Sequence, residues 1–234
     1  MKYYIYFVFT ICLLGCEKAN NKGEIPGLEN PGLIAYFPLD SSYTDASGNN
    51  NLLQAYGAPE FVEGYRNEAT TAVLLNGEED FLVGSIGKLD TFSISMWLES
   101  YRYFVGEWPH RRSTIFDYSN KQVYGDIDGI SGATQINCGI ESEHVTGVDI
   151  GNGSEWFHLY MAVCNEVKIY LNGSLKKSEP LQDEMIYLGD IIYFGRASND
   201  DEIDLTYFYG KIDEIRIFNR ILDQAEIDEL SLKQ

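Results

Sequence analysis

Histidine and cysteine are scarce in this chain, three and four respectively in 234 residues. No CxxC occurs and the histidines lie scattered at 110, 144 and 158, so the donors of a zinc site are not assembled. Basic residues are few: 17 Lys and Arg stand against 36 Asp and Glu, a formal net charge of −19. No basic stripe interrupts this acidity, which excludes nucleic acid as a partner and suits divalent cations. Nor is there a serine in a nucleophile elbow, so no catalytic triad assembles. A long helical period before Asp223 and any internal repeat are also missing, which leaves a nearly all-β chain.

The one long apolar run is N-terminal. Lys2 precedes Tyr3 to Leu14, a stretch too short to span a bilayer, and Leu13-Leu14-Gly15-Cys16 follows the pattern of a bacterial lipobox. Residues 1–15 read as a lipoprotein signal peptide and Cys16 as the lipidated residue; the alternative is an ordinary cleaved signal peptide. Either way the chain is exported, lipid-anchored in the first case to the bacterial membrane, at the outer membrane or cell surface, and touching lipid only through that anchor. Residues 16–31 are polar, with two prolines, and form a flexible tether. Losing Lys2 takes the net charge from −19 to −20. Residues 32–234 suffice for one sizeable domain. Cys138 and Cys164, both in strand-like runs, either pair in an oxidising compartment or stay as free thiols.

Short β-formers recur between turn residues. Gly32 to Leu39 is the first strand; Thr71 to Leu75, Asp80 to Val83 and Phe92 to Leu98 follow. In the last, Phe92, Ile94, Met96 and Leu98 share one face and Ser93, Ser95 and Trp97 the other. Trp156 to Cys164 and Val167 to Leu171 come next, the second ending in the tight-turn pair Asn172-Gly173.

The stretch from Phe208 to Glu229 closes the domain. Gly210 to Phe218 alternates with period two, and this places Asp213 on the face of Ile215 and Ile217. A carboxylate there calls for a compensating cation, a salt bridge or a turn contact. Asp223 with Glu226 three residues on, then Ile227 and Leu230, signals a capped terminal helix. The loop from Ser41 to Asn51 offers oxygens from Asp45, Asn49, Asn50 and Asn51 around Gly48, as a hard-cation cage or as an Asx-rich connection.

Gly32-Leu-Ile-Ala-Tyr-Phe-Pro-Leu39, Asp45-Ala-Ser-Gly-Asn-Asn-Asn51, Phe92-Ser-Ile-Ser-Met-Trp97, Glu155-Trp-Phe-His158, Val167-Lys-Ile-Tyr-Leu-Asn-Gly173 and Gly210-Lys-Ile-Asp-Glu-Ile-Arg-Ile-Phe218 occur in an order that resembles a laminin G-like domain of the concanavalin A-like lectin and glucanase superfamily. The resemblance implies a two-sheet antiparallel jelly-roll sandwich with a short C-terminal helix, and a curved sheet whose concave face carries ligands in many relatives. It also implies a structural Ca2+ held by Asp45, Asn50 and Asp213.

The superfamily's glucanases carry Glu-x-Asp-x-x-Glu, whose carboxylate pair retaining hydrolysis requires. Here Glu202-Ile203-Asp204-Leu205-Thr206-Tyr207 puts Tyr207 in the second Glu's place, so no enzyme is expected. Binding is. Tyr101 to Arg112 holds four aromatics and three Arg between two strands: either a stacking platform offering Tyr101, Tyr103, Trp108 and Arg112 to a carbohydrate, or a plug for one end of the sandwich. Trp97 is a further candidate for lining the concave sheet. The function is then glycan capture at the surface or, alternatively, adhesion to a protein partner.

Overall fold

The computed structural model describes residues 31–101, 112–118, 123–130, 133–140, 143–151, 154–181, 189–198 and 205–233. Its strands are β1 (Leu33–Phe37), β2 (Leu52–Tyr56), β3 (Glu60–Val62), β4 (Ala72–Asn76), β5 (Phe81–Ser85), β6 (Phe92–Ser100), β7 (Arg112–Tyr118), β8 (Val123–Ile130), β9 (Ala133–Ile140), β10 (Glu143–Asp149), β11 (Phe157–Val163), β12 (Glu166–Leu171), β13 (Ser174–Pro180), β14 (Ile191–Phe194), β15 (Leu205–Tyr207) and β16 (Tyr209–Phe218). Among the described residues one helix, α1 (Gln224–Leu230), follows.

The strands form two eight-stranded sheets. The first runs β13-β12-β11-β6-β16-β4-β3, with β1 also on β16; the second runs β10-β9-β8-β7-β14-β5-β2, with β15 added parallel to β7. Apolar residues at alternate positions, among them Ile94, Met96, Leu159, Ile127, Ile136 and Phe194, fill the space between the sheets. This is the expected jelly-roll sandwich. Its β12–β13 hairpin turns through Asn172 and Gly173, both at positive φ, as a two-residue turn of primed type requires. A Cβ on Gly173 would lie 2.7 Å from Ser231 Oγ, so glycine also lets the hairpin approach the C-terminal segment.

Outside the first sheet, α1 covers a second apolar cluster of Tyr160, Ala162, Phe218, Leu222, Ile227 and Leu230. Its capping box is complete: Asp223 accepts from Glu226 N at 3.0 Å, and Glu226 from Asp223 N at 2.8 Å. Arg220 grips the same Glu226 through two nitrogens.

In β16 the alternation is interrupted. The register against β6 shifts between Asp213 and Arg216, and Glu214 takes φ +55. Ile212 and Ile215 therefore both enter the core, while Asp213, directly across from Trp97, faces outward with Arg216. The shared face of Asp213 and Ile215 expected from strict alternation is corrected by this bulge. The thiols are both free: buried Cys138 is on β9 of the second sheet, whereas Cys164 follows β11 of the first.

Candidate functional site

The outer face of the first sheet divides into three zones. At one end α1 seals it. In the middle, Trp97 is 1% exposed, stacked on Tyr65 at 4.2 Å, and donates its indole N–H to Leu230 O at 3.3 Å. Trp97 therefore offers no ring face to a ligand, which corrects its reading as a lining residue. Beside it lie His158, whose Nε2 meets Ser95 Oγ at 2.8 Å, and the bulged segment of β16. Burial, with Arg216 nearby, takes the His158 pKa down to about 3, so the ring is neutral. Glu214 takes hydrogen bonds from Tyr36 Oη at 3.0 and 3.1 Å and pairs with Arg216 at 2.5 Å and Arg66 at 3.6 Å.

The third zone is the least buried of the three among the described residues. There Lys211 on β16 pairs with Glu99 on β6 directly across, Nζ to Oε2 at 2.9 Å, and the ammonium lies between two rings, 5.7 Å from Tyr101 and 5.6 Å from Trp156. Burial pulls the Lys211 pKa down, but hydrogen bonds with Tyr101 and Glu99 outweigh that and hold it above the ordinary value. Tyr101 donates to Glu99 at 3.4 Å and meets Tyr209 edge-on at 5.4 Å. Trp156 is half-buried and Tyr209 exposed. This arrangement presents aromatic surface around a fixed donor and acceptor, chemistry suited to the C–H faces and hydroxyls of a sugar.

Of the residues expected to bind ligand, Tyr101 thus belongs to this zone. Arg112 opens β7 in the second sheet, its backbone paired with Asp128. Tyr103 and Trp108 lie outside the described residues, as does Cys16. Trp156, Lys211 and Glu99 were not legible as site residues, although the pair Glu155-Trp156 just before β11 is the sequence signal that marks an aromatic at a strand entry.

The three expected calcium ligands sit in different surroundings. Asp45 accepts N–H groups from Tyr36 (3.0 Å) and Ser47 (2.9 Å) on Oδ1, and two from Asn51 (both 2.8 Å) on Oδ2. Burial raises its pKa, but these bonds outweigh that and hold the carboxyl below its usual value. All its acceptor positions are in use, so it organises the loop. Asn50 is exposed, at φ +59. Asp213 is buried, receives Tyr65 N at 3.2 Å, and is pushed up to about 8 by burial and by the charge of Glu214. Its chemistry fits a hard cation, which would relieve the cost of burying its charge. Among the described residues, no three His, Cys, Asp or Glu side chains gather as a metal-holding group.

The family profile of the concanavalin A-like lectin/glucanases superfamily, laminin G type, matches residues 67–228. No curated protein matches the chain. Among solved structures the chain is similar to Domain 4 of AbnA, a GH43 extracellular arabinanase from Geobacillus stearothermophilus, in complex with arabinotriose: 21% identity, TM-score 0.63, over 86% of this chain and 98% of that one. It is also similar to a botulinum neurotoxin type C structure, described as dependent on two ganglioside molecules for cell entry, at 18% identity and TM-score 0.66, over 86% of this chain and 51% of that one. The binding domain of botulinum neurotoxin DC in complex with SialylT gives 16% identity and TM-score 0.65, over 86% and 51%. The chain thus spans about half the length of the toxin structures. At these identities the likeness establishes the fold.

Proposed function

Because the chain belongs to the concanavalin A-like lectin/glucanases superfamily, we propose that it binds carbohydrate without cleaving it, through the zone of Tyr101, Trp156, Tyr209, Lys211 and Glu99. The observation that carries this reading is the Lys211–Glu99 pair set between two aromatic rings. Trp156 and Tyr209 supply stacking surface; Lys211 donates to, and Glu99 accepts from, sugar hydroxyls. The arabinotriose complex of the similar arabinanase domain, which this fold spans almost entirely, supports a sugar ligand. Tyr103 and Trp108 are further candidate ligand contacts in this reading.

Cys16 carries a lipid in this account, and residues 16–31 tether the domain to the outer membrane. Among the described residues no helix is long and apolar enough to cross a membrane. Calcium, centred on Asp213, supplies structural stability and takes no part in sugar recognition. The test is a glycan array probed with the full chain in detergent micelles, beside Trp156→Ala and Trp108→Ala. Weakening of a defined glycan signal in Trp156→Ala supports the site. Glycan binding untouched by that change moves the site elsewhere, and silence across the array points to a protein ligand.

A further inference from the structure

We propose a second sugar site, on the opposite face of the sandwich, built on Tyr56, Phe81 and Arg196 and taking a neutral oligosaccharide, so that one molecule holds two glycan chains. This rests on the carbohydrate reading above.

The outer face of the second sheet is polar across its middle, and closed there. Thr114, Asp126 and Asn137 lie directly across from one another on β7, β8 and β9, and all three are buried, as is Asp117. Among the described residues this face opens at its β2 edge, where Leu52 is 56% and Tyr56 46% exposed.

At that edge the side chains are layered. Tyr56 is directly across from Phe81, with ring centroids 4.8 Å apart and planes 3° from parallel. Arg196 Cζ lies 4.8 Å from the Phe81 centroid and 5.8 Å from those of Tyr193 and Tyr207. Strand β2 flanks β5 on one side, and β14, which carries Tyr193, on the other. Phe81 is therefore sandwiched between Tyr56 and Arg196, with both of its faces occupied. The outward face of Tyr56 is not needed by this stack. A ring already fixed from behind loses little freedom when a ligand stacks on it, so its contact converts efficiently into affinity. Gln54, exposed on the same face of β2, adds an amide that can donate to and accept from hydroxyls.

Charge selects the sugar. Arg196 is engaged by three rings and donates Nε–H to Ala197 O at 2.8 Å, and exposed Glu78 and Glu79 come just before β5 on a chain of net charge −19. A sialylated or uronic glycan meets repulsion here, whereas a neutral one does not. Since the two sheets face opposite ways, the two sites diverge, which favours bridging of chains over binding one chain twice.

The experiment is calorimetric titration of the full chain with the strongest neutral binder from an array that includes arabinotriose, sialyllactose serving as the anionic control. The expected stoichiometry is two, falling to one in Tyr56→Ala and one in Trp156→Ala, and to zero in the double variant; Tyr56→Phe keeps two. Sialyllactose is expected to bind at least tenfold more weakly in the Trp156→Ala background. A stoichiometry of one that Tyr56→Ala leaves unchanged and Trp156→Ala abolishes overturns the second site and leaves the first standing. A stoichiometry of one lost only in Tyr56→Ala removes the first site and the bridging role together. Equal binding of sialyllactose overturns the charge selection alone, and no binding of any sugar overturns both readings.

Discussion

Replacing Asp213 by Asn should remove a specific slope from the pH dependence of stability. Asp213 is 2% exposed, takes one backbone N–H from Tyr65, and stands beside the negative Glu214. Burial and that charge push its pKa from 3.8 to about 8. The folded state then holds a proton that the unfolded chain releases. The resulting stability is fully present below the unfolded value, near 3.8, and is lost as pH rises through about 8. Within this window each pH unit costs about 1.4 kcal/mol, so the wild-type protein should lose roughly 3 kcal/mol between pH 5 and pH 7 relative to Asp213→Asn. His158 acts in the opposite sense, its contribution being lost as pH falls from 6.5 towards about 3. Comparing variant with wild type cancels it. The assay is urea denaturation of both proteins at pH 5, 6 and 7 in EDTA. A stability difference constant across the three pH values would refute the reasoning, because it would mean that Asp213 is ionised throughout.

Calcium should raise the melting temperature of the wild-type protein over its value in chelator, since a ligand held only by the native state stabilises it. Asp213→Ala should abolish that increment, and equal melting of wild type with calcium and with EDTA would remove the ion from the account. Asp223→Ala should cost about 1 kcal/mol by opening the capping box, read as a lower thermal midpoint; an unchanged midpoint would show that α1 is held by its apolar face alone. Reducing agent should leave the melting curve unchanged, because Cys138 and Cys164 belong to different sheets and are both free.

Much of the sandwich was legible because its strands obey simple rules. Phe92 to Leu98 alternates as it should, Asn172-Gly173 turns, and Asp223 with Glu226 caps the helix. Strands β2, β3 and β15 were not visible. Glu60–Val62 and Leu205–Tyr207 are three residues long, and Leu52–Tyr56 is an edge strand with its outer residues exposed, so none shows enough periodicity to separate it from loop. The bulge at Glu214 was likewise hidden, since one residue at positive φ inverts the face of everything before it without altering composition.

The site was legible only in part, for a reason of the same kind. Tyr101 could be suspected from an aromatic-rich segment, but Trp156, Lys211 and Glu99 come from three separate strands or strand entries and meet only through register. Trp97 misled because alternation reports which face a residue takes, not what lies over that face. Tyr65 and the last turn of α1 close over it, and both arrive from distant parts of the chain.

Sugar binding by the Trp156, Tyr101 and Lys211 zone is the property on which the proposed function rests. The most direct measurement is titration of Trp156→Ala with the oligosaccharide that the wild-type chain binds best, alongside a melting curve to establish that the variant is folded. The account predicts loss of binding at this site, at least tenfold in affinity, with a near-native melting temperature. Wild-type affinity and stoichiometry in a folded Trp156→Ala variant would contradict it.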